Sequence, residues 1–262
     1  MDVEKRTISD TSVVAMKNGF IEMLSELRLN ENRLFQFMLA HYDSRMADNP
    51  TFEATLAEVR KFYNTTPQNA YQIVHIAFTK LGARPLQYRI GNVKASSHWL
   101  TDLFYFRDEG RFVFKLNESV KEYFLALKDF FTSYRIGNTK HFRRHASFKL
   151  YVNLKQWEGK GSWRVSLDDF RARLGVVGSY DGFGKLRQKI IDPCLREINK
   201  HSDICVEYEK VRRVRTVVAV KFSIRRKVDV EAKRAKEIHE ANQLLKDTEE
   251  EKKRLGYPEA RH

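Results

Sequence analysis

Two tandem α+β units followed by a charged, partly helical tail are what this sequence predicts, and three observations carry the prediction. Apolar residues recur at helical spacing in two separate parts of the chain. In both parts the helical runs give way to paired stretches that read as hairpins. Nearly all of the positive charge surplus falls in one segment of the second half. Each half therefore reads helix, helix, turn, helix, β-hairpin. A helix-turn-helix followed by a hairpin is the winged-helix arrangement, so two such domains are expected.

Residues 1–15 are polar and weakly patterned, which predicts a flexible arm. The first domain is expected over 16–134. Glu31 to Tyr42 cluster Leu34, Phe35, Phe37, Met38 and Leu39 on a helix, and a second helix is expected from Phe52 to Tyr63. Thr66 and Pro67 form an N-cap with proline at the first helical position. The helix behind them carries Ala70, Ile73, Val74, Ala77, Phe78 and Leu81, with Gly82 as its stop. Extended runs follow at Pro85 to Ile90, His98 to Phe106 and Arg111 to Leu116. Asp108-Glu109-Gly110 is the turn between the last two. A helix from about Glu118 to Phe131 and a linker from Tyr134 to Thr139 complete this half.

The second domain is expected over 140–226. Arg144 to Trp157 reads as a helix. Ser166 to Asp169 is a capping box opening a short helix with Leu167, Phe170 and Leu174, ended by Gly175. A glycine-rich turn, Gly178 to Gly184, leads into a longer helix from Lys185 to about Lys200. Two extended runs follow, one with Ile204, Val206 and Tyr208 and one with Val218, Val220, Phe222 and Ile224. Residues 227–262 alternate Glu and Lys and predict a tail that is helical in part through i,i+4 pairs.

The net charge is +14 in 262 residues. Residues 140–226 hold 21 Lys and Arg against 9 Asp and Glu, whereas 227–262 hold 9 of each. A surplus focused in one domain is the footprint of a face for a polyanion, either nucleic acid or an anionic membrane surface. No apolar run approaches a membrane span. The N-terminus lacks the apolar core of a signal peptide. The two cysteines, Cys194 and Cys205, are expected as reduced core residues, in keeping with a cytoplasmic protein.

On a helical wheel the long helix of the second domain puts Phe183, Leu186, Ile190, Ile191, Cys194, Leu195 and Ile198 on one arc. Lys185, Gln188, Lys189, Asp192, Arg196 and Asn199 lie opposite. A face of Arg, Lys, Gln and Asn donors suits a major-groove reader. Arg187 points toward the apolar arc on this wheel, and Pro193 removes a backbone donor. Lys210, Arg212, Arg213 and Arg215 crowd the hairpin turn, where they repel one another. A wing along a DNA backbone or minor groove explains them; folding alone does not. Lys140, Arg143, Arg144 and Lys149 form a third basic cluster, expected to clamp phosphates.

His141 and His145 stand four residues apart, but with arginines between them and no nearby Cys or third His a metal role is not expected. The sequence has no P-loop and no G-x-S-x-G, and none of its eight histidines makes the His-hydrophobic-His motif of nicking initiators. No catalytic residue, metal or cofactor is expected.

The runs SFKLYVNLKQW (147–157), VSLDDFRARLGV (165–176), SYDGFGKLRQKIIDPCLREINKHSDICVEYE (179–209) and VVAVKFSI (217–224) resemble the initiator replication proteins of iteron-containing, theta-replicating plasmids. Tyr180, Phe183, Leu186, Pro193, Glu197, Ile198 and Asn199 are the most telling residues, and LNENRLFQFMLAHYDS (29–44) extends the resemblance into the first half. It implies two winged-helix domains. The second is then the main reader, and the first supplies a secondary DNA contact and a dimer interface. It also implies binding to direct repeats at an origin, promotion of origin opening and recruitment of host initiator and helicase proteins. A homodimer in equilibrium with monomer would repress the initiator's own promoter. By position the basic helix maps to Lys185, Arg187, Gln188 and Lys189, with Gln188 standing where an arginine is common. Gln68, Asn69 and Gln72 begin the corresponding helix of the first domain. A winged-helix repressor without initiator role, and an origin-nicking enzyme, are the alternatives.

Overall fold

The computed structural model describes residues 3–24, 27–42, 51–90, 92–120 and 131–229. Strands β1 (Val3–Lys5) and β2 (Val13–Lys17) come first, then helices α1 (Asn18–Met23) and α2 (Leu29–Leu39). Strand β3 (Thr51–Thr55) runs directly into α3 (Leu56–Tyr63). Helix α4 (Pro67–Ile76) continues through a π-helical turn, Ala77–Leu81. Strands β4 (Pro85–Ile90), β5 (Val93–His98), β6 (Leu100–Phe106) and β7 (Arg111–Leu116) follow. The turn α5 (Glu118–Val120) and strand β8 (Phe131–Arg135) lead to the second half. That half comprises α6 (His145–Gln156), β9 (Ser162–Ser166) and α7 (Leu167–Leu174). Helix α8 (Gly182–Leu186) passes through a π-helical turn (Arg187–Ile191) into α9 (Asp192–His201). Strands β10 (Ile204–Arg213) and β11 (Thr216–Arg226) close the unit.

The two halves repeat one plan in detail. The sheet orders are β3-β7-β6 in the first and β9-β11-β10 in the second, with β1 added in parallel outside β3. In each, a five-residue strand turns into a helix at a hydroxyl cap. Thr55 Oγ1 accepts from the Glu58 amide at 3.2 Å, and Ser166 Oγ from the Asp169 amide at 3.0 Å. In each, the central strand pair stacks aromatics. Phe52 faces Phe114 in register at 5.6 Å between centroids, and Trp163 faces Phe222 at 5.5 Å. These cross-strand pairs anchor the same corner of both cores.

Several elements differ from expectation. The segment 3–15 is not a loose arm: β1 pairs with β3, and β2 pairs with β8. Val14 and Met16 alternate inward and are fully buried, which gives that segment a reason to fold. Phe52 to Thr55 are strand rather than helix, because T-F-E-A-T alternates and Thr55 starts a new helix. Strands β5 and β9 are additional, and buried Trp99 separates β5 from β6. Of the helix expected from Glu118 to Phe131, only Glu118–Val120 lies in described residues with helical form, and Phe131 begins β8. The charged tail beyond Asp229 lies outside the described residues.

The expected linker, Tyr134 to Thr139, is a packed joint. Tyr134 and Ile136 are buried, and the amides of Ile136 and Gly137 donate to the carbonyls of Ser12 and Asp10 at 2.9 and 3.1 Å. Tyr134 also donates to Gln36 and meets the Tyr151 ring edge-on at 5.4 Å. Across the same joint Arg33 donates to the Phe142 carbonyl at 2.9 Å, and Asn32 bonds the His145 ring at 3.1 Å. One continuous apolar cluster runs through both halves. The joint therefore fixes the first half against the second.

Candidate nucleic-acid interface

The helix α8–α9 buries Leu186, Ile190, Ile191, Cys194, Leu195 and Ile198, six of the seven residues placed on its apolar arc; Phe183 is half-buried. Pro193 carries no N–H, and the wider hydrogen-bonded turn just before it absorbs the missing bond without a break. Lys185, Gln188 and Lys189 are exposed. Arg187 is exposed as well, because the π turn rotates it off the apolar arc, and its guanidinium lies 3.6 Å from Asp192. Asp192 in turn accepts from the Tyr208 hydroxyl at 2.8 Å. That bond helps push the Tyr208 phenol up, to about 12, after burial as the main cause.

The wing is the β10–β11 hairpin, with a register shift between Val211 and Arg212. Its stem and tip differ in charge. On the stem Lys221 pairs with Glu209 at 2.9 Å and Arg225 with Glu207 at 3.0 Å. At the tip Arg212, Arg213 and Arg215 are exposed, and among the described residues no acidic side chain pairs with them. Lys210 lies over the Phe183 ring at 5.5 Å, linking the wing to the first turn of α8. Val214, 93% exposed, sits between the arginines in the left-handed backbone region at φ 57°. A β-branched residue rarely takes that conformation.

Two expectations need correction. Lys149 does not face a partner: it is buried in α6, and Nζ donates to the Leu174 carbonyl at 3.1 Å. Burial lowers its pKa to about 8. Asn199 does not read bases. Its Nδ2 donates to the Val206 carbonyl and its Oδ1 accepts from the Val206 amide, so it ties α9 to β10. Arg143, Arg144 and Arg196 remain exposed, and they line an open cleft between the domains. Arg33, Lys140 and Lys200 line the same cleft. Arg33 and Lys200 carry no local sequence signal of this role, since more than a hundred residues separate them.

In the first domain Gln68, Asn69 and Gln72 are exposed on the first turns of α4. The Asn69 amide donates to Thr66 Oγ1 at 3.2 Å, the expected cap. His141 and His145 diverge: His145 faces Asn32, and His141 lies 5.4 Å from the His201 ring. Among the described residues no group of three or more His, Cys, Asp or Glu could hold a metal, and no helix is long and apolar enough to cross a membrane.

Comparison with known proteins agrees with this architecture. Residues 13–155 match the family model described as "Initiator Replication protein, WH1", and residues 166–224 match "Initiator Rep protein, WH2". A replication initiation protein of Escherichia coli is 23% identical over 187 residues, which are 69% of this chain and 58% of that protein. The chain thus spans little more than half the length of that relative. An uncharacterized 27.6 kDa protein of Escherichia coli is 21% identical over 180 residues, 66% of this chain and 75% of its own length. The crystal structure of Pi initiator protein in complex with iteron DNA has the same fold. Its TM-score is 0.74 at 18% identity, covering 83% of this chain and 98% of that one. With two winged-helix domains in the order of both family models, the chain belongs to the initiator replication protein family.

Proposed function

We propose that the chain initiates plasmid replication by binding direct DNA repeats, iterons, at an origin. The observation that carries this reading is the distribution of unpaired charge. Cations on the wing stem are neutralised by neighbours and Arg187 pairs with Asp192, whereas among the described residues no acidic side chain pairs with Arg212, Arg213 and Arg215 on the wing tip or with Lys185 and Lys189 on the helix face. Charge left open on two adjoining elements is spent on a partner, and a helix with a flanking hairpin fits duplex DNA. Lys185, Gln188 and Lys189 would read base edges. Arg187 and the wing residues Lys210, Arg212, Arg213 and Arg215 would hold the backbone. Gln68, Asn69 and Gln72 would contact the other end of the repeat. The Pi initiator's complex with iteron DNA supports this choice of ligand.

Origin opening and recruitment of host initiator and helicase proteins belong to the same reading through family membership, as does action in the bacterial cytoplasm. A homodimer that represses its own promoter is favoured by one further feature. Among the described residues strand β6 is a sheet edge in the first domain, and it exposes Phe104 and Phe106. The chain carries the chemistry of a binder, with no catalytic role assigned to any residue. Footprinting on the DNA flanking the chain's own gene tests the proposal. Direct repeats protected at near-helical-turn spacing support initiation. A single inverted repeat would instead favour the repressor reading.

A further inference from the structure

The cleft between the domains has a volume of about 730 Å³. Six cations line it: Arg33 from α2, Lys140, Arg143 and Arg144 from the segment before α6, and Arg196 and Lys200 from α9. Glu197 is the one acid among the lining residues, and it already accepts from the Arg144 amide at 3.3 Å. Lys140 is held by Asp10 and Arg33 by the Phe142 carbonyl. Among the described residues no acidic side chain pairs with Arg143, Arg196 or Lys200. Such a concentration of charge opposes the closeness of the two domains, yet the joint holds them together. The like charges are therefore arranged for an anion.

The position of the cleft indicates which anion. Lys189, Pro193, Arg196 and Lys200 follow one another at four, three and four residues along the reading helix. Lys189, Arg196 and Lys200 are exposed and Pro193 is buried between them, so the helix carries cations from the candidate base readers into the cleft. On the opposite wall stands Asn69, from the first turn of the first domain's reading helix. Cations dominate the lining, and its one tyrosine, Tyr63, is buried, with its hydroxyl donated to the Arg33 carbonyl at 2.6 Å. We propose that this cleft is a phosphate-binding site that seats the DNA backbone between the segments read by the two domains. This rests on the reading of the chain as a duplex-DNA binder.

The site also contains proton acceptors. His141 is lowered by burial and by Lys140 and His201, with Asp10 opposing. His201 is lowered by burial and by Lys200, Lys227 and Arg143, with Glu197 opposing. Burial and the surrounding cations thus bias both rings toward the neutral form. A bound phosphate reverses that bias, so binding takes up protons and tightens as pH falls.

The test uses the full chain and a duplex that it selects from a random-sequence pool. Affinity is followed by fluorescence anisotropy between about 50 and 200 mM salt. Arg143→Ala with Lys200→Ala removes two phosphate contacts, so the salt slope should fall by about 1.8. Over that fourfold salt range the variant then loses about twelvefold less affinity than the wild type. Single methylphosphonate linkages between the two footprinted segments should weaken the wild type and leave the variant unmoved. His141→Gln with His201→Gln should flatten the gain in affinity between pH 8 and 6. Thermal melts serve as the folding control, and the Arg143→Gln, Lys200→Gln pair replaces any variant that melts early. A wild-type salt slope together with undiminished methylphosphonate sensitivity in the variant overturns the proposal. So does tripolyphosphate binding that the variant loses while its DNA slope is unchanged, which would assign the cleft to a free anion. If in those cases Lys189→Ala still weakens selected DNA, duplex reading stands and only the cleft falls. If the wild type selects no duplex, the underlying reading falls.

Discussion

The Asn199 side chain grips both backbone groups of Val206, donating to the carbonyl at 2.9 Å and accepting from the amide at 2.7 Å. This clamp joins the end of α9 to the first strand of the β10–β11 hairpin. Two backbone groups lose their partner in Asn199→Ala, so a loss of roughly 1–3 kcal/mol in unfolding free energy is expected. Urea denaturation measures it. A variant as stable as the wild type would show that water replaces the clamp.

Lys149 gives a prediction about pH. Burial lowers its folded pKa to about 8, below the usual lysine value of 10.5. Between those values the unfolded chain binds more protons than the folded one, so stability from this group rises as pH increases from about 8 to 10.5. Below pH 8 the buried charge is a cost. Lys149→Met removes that titration. The difference in unfolding free energy between wild type and variant should therefore shift in the wild type's favour across the window. Since only the difference is compared, the tyrosines that titrate nearby cancel. A constant difference would mean that the ammonium is hydrated.

His145 works in the acid range. Burial, followed by the nearby Lys149, lowers its pKa to about 4. Its contribution to stability is present above the unfolded value near 6.5 and is lost as pH falls toward 4. Because its ring bonds Asn32 across the joint, acid should loosen the contact between domains first. Limited proteolysis near residues 136–144, compared at pH 7 and 5, checks this. His145→Gln should abolish the increase in cutting.

The sequence disclosed the features that repeat locally and hid those that depend on distant packing. The apolar arc of α9, the Ser166 cap and the wing cations are periodic or clustered, and the structure shows all three. Strands β3 and β9 are five residues long and lead straight into helices, so the short alternation of β3 merges with the helical pattern that follows and that of β9 is too brief to stand out. Lys149 read as part of a basic cluster because Arg143 and Arg144 precede it. Yet α6 is buried on every side from Ser147 to Leu154, wedged against α1, α7, α9 and β8. Only the pairing of the two halves makes that helix central. The cleft was hidden for the same reason, since Arg33 meets Lys200 only through the fold.

Gly137 tests whether the joint is as rigid as its contacts imply. A Cβ at this position would lie 2.6 Å from the Asp10 carbonyl oxygen and 2.9 Å from the Asp10 Cα. Backbone cannot swing aside as a side chain can, so Gly137→Ala must displace the segment that leads into β2. A cost of roughly 1–3 kcal/mol is expected, of the size seen for overpacking. Thermal denaturation measures it. An unchanged melting temperature would mean that the 9–12 turn yields freely.

Lys189 and Arg213 separate reading from holding. Both are exposed, but Lys189 lies on the α8–α9 face and Arg213 at the wing tip, where Arg213 pairs with Thr216 across the hairpin end. A side chain that donates to a base edge distinguishes sequences, whereas one on a phosphate does not. Lys189→Ala should therefore weaken the selected duplex by roughly 1–3 kcal/mol and random duplex much less. Arg213→Ala should weaken both alike and lower the salt slope by about 0.9. Competition binding with the two duplexes at several salt concentrations gives both quantities. Equal losses on the two DNAs for Lys189→Ala would make it a backbone contact and move the reading role to Lys185 and Gln188.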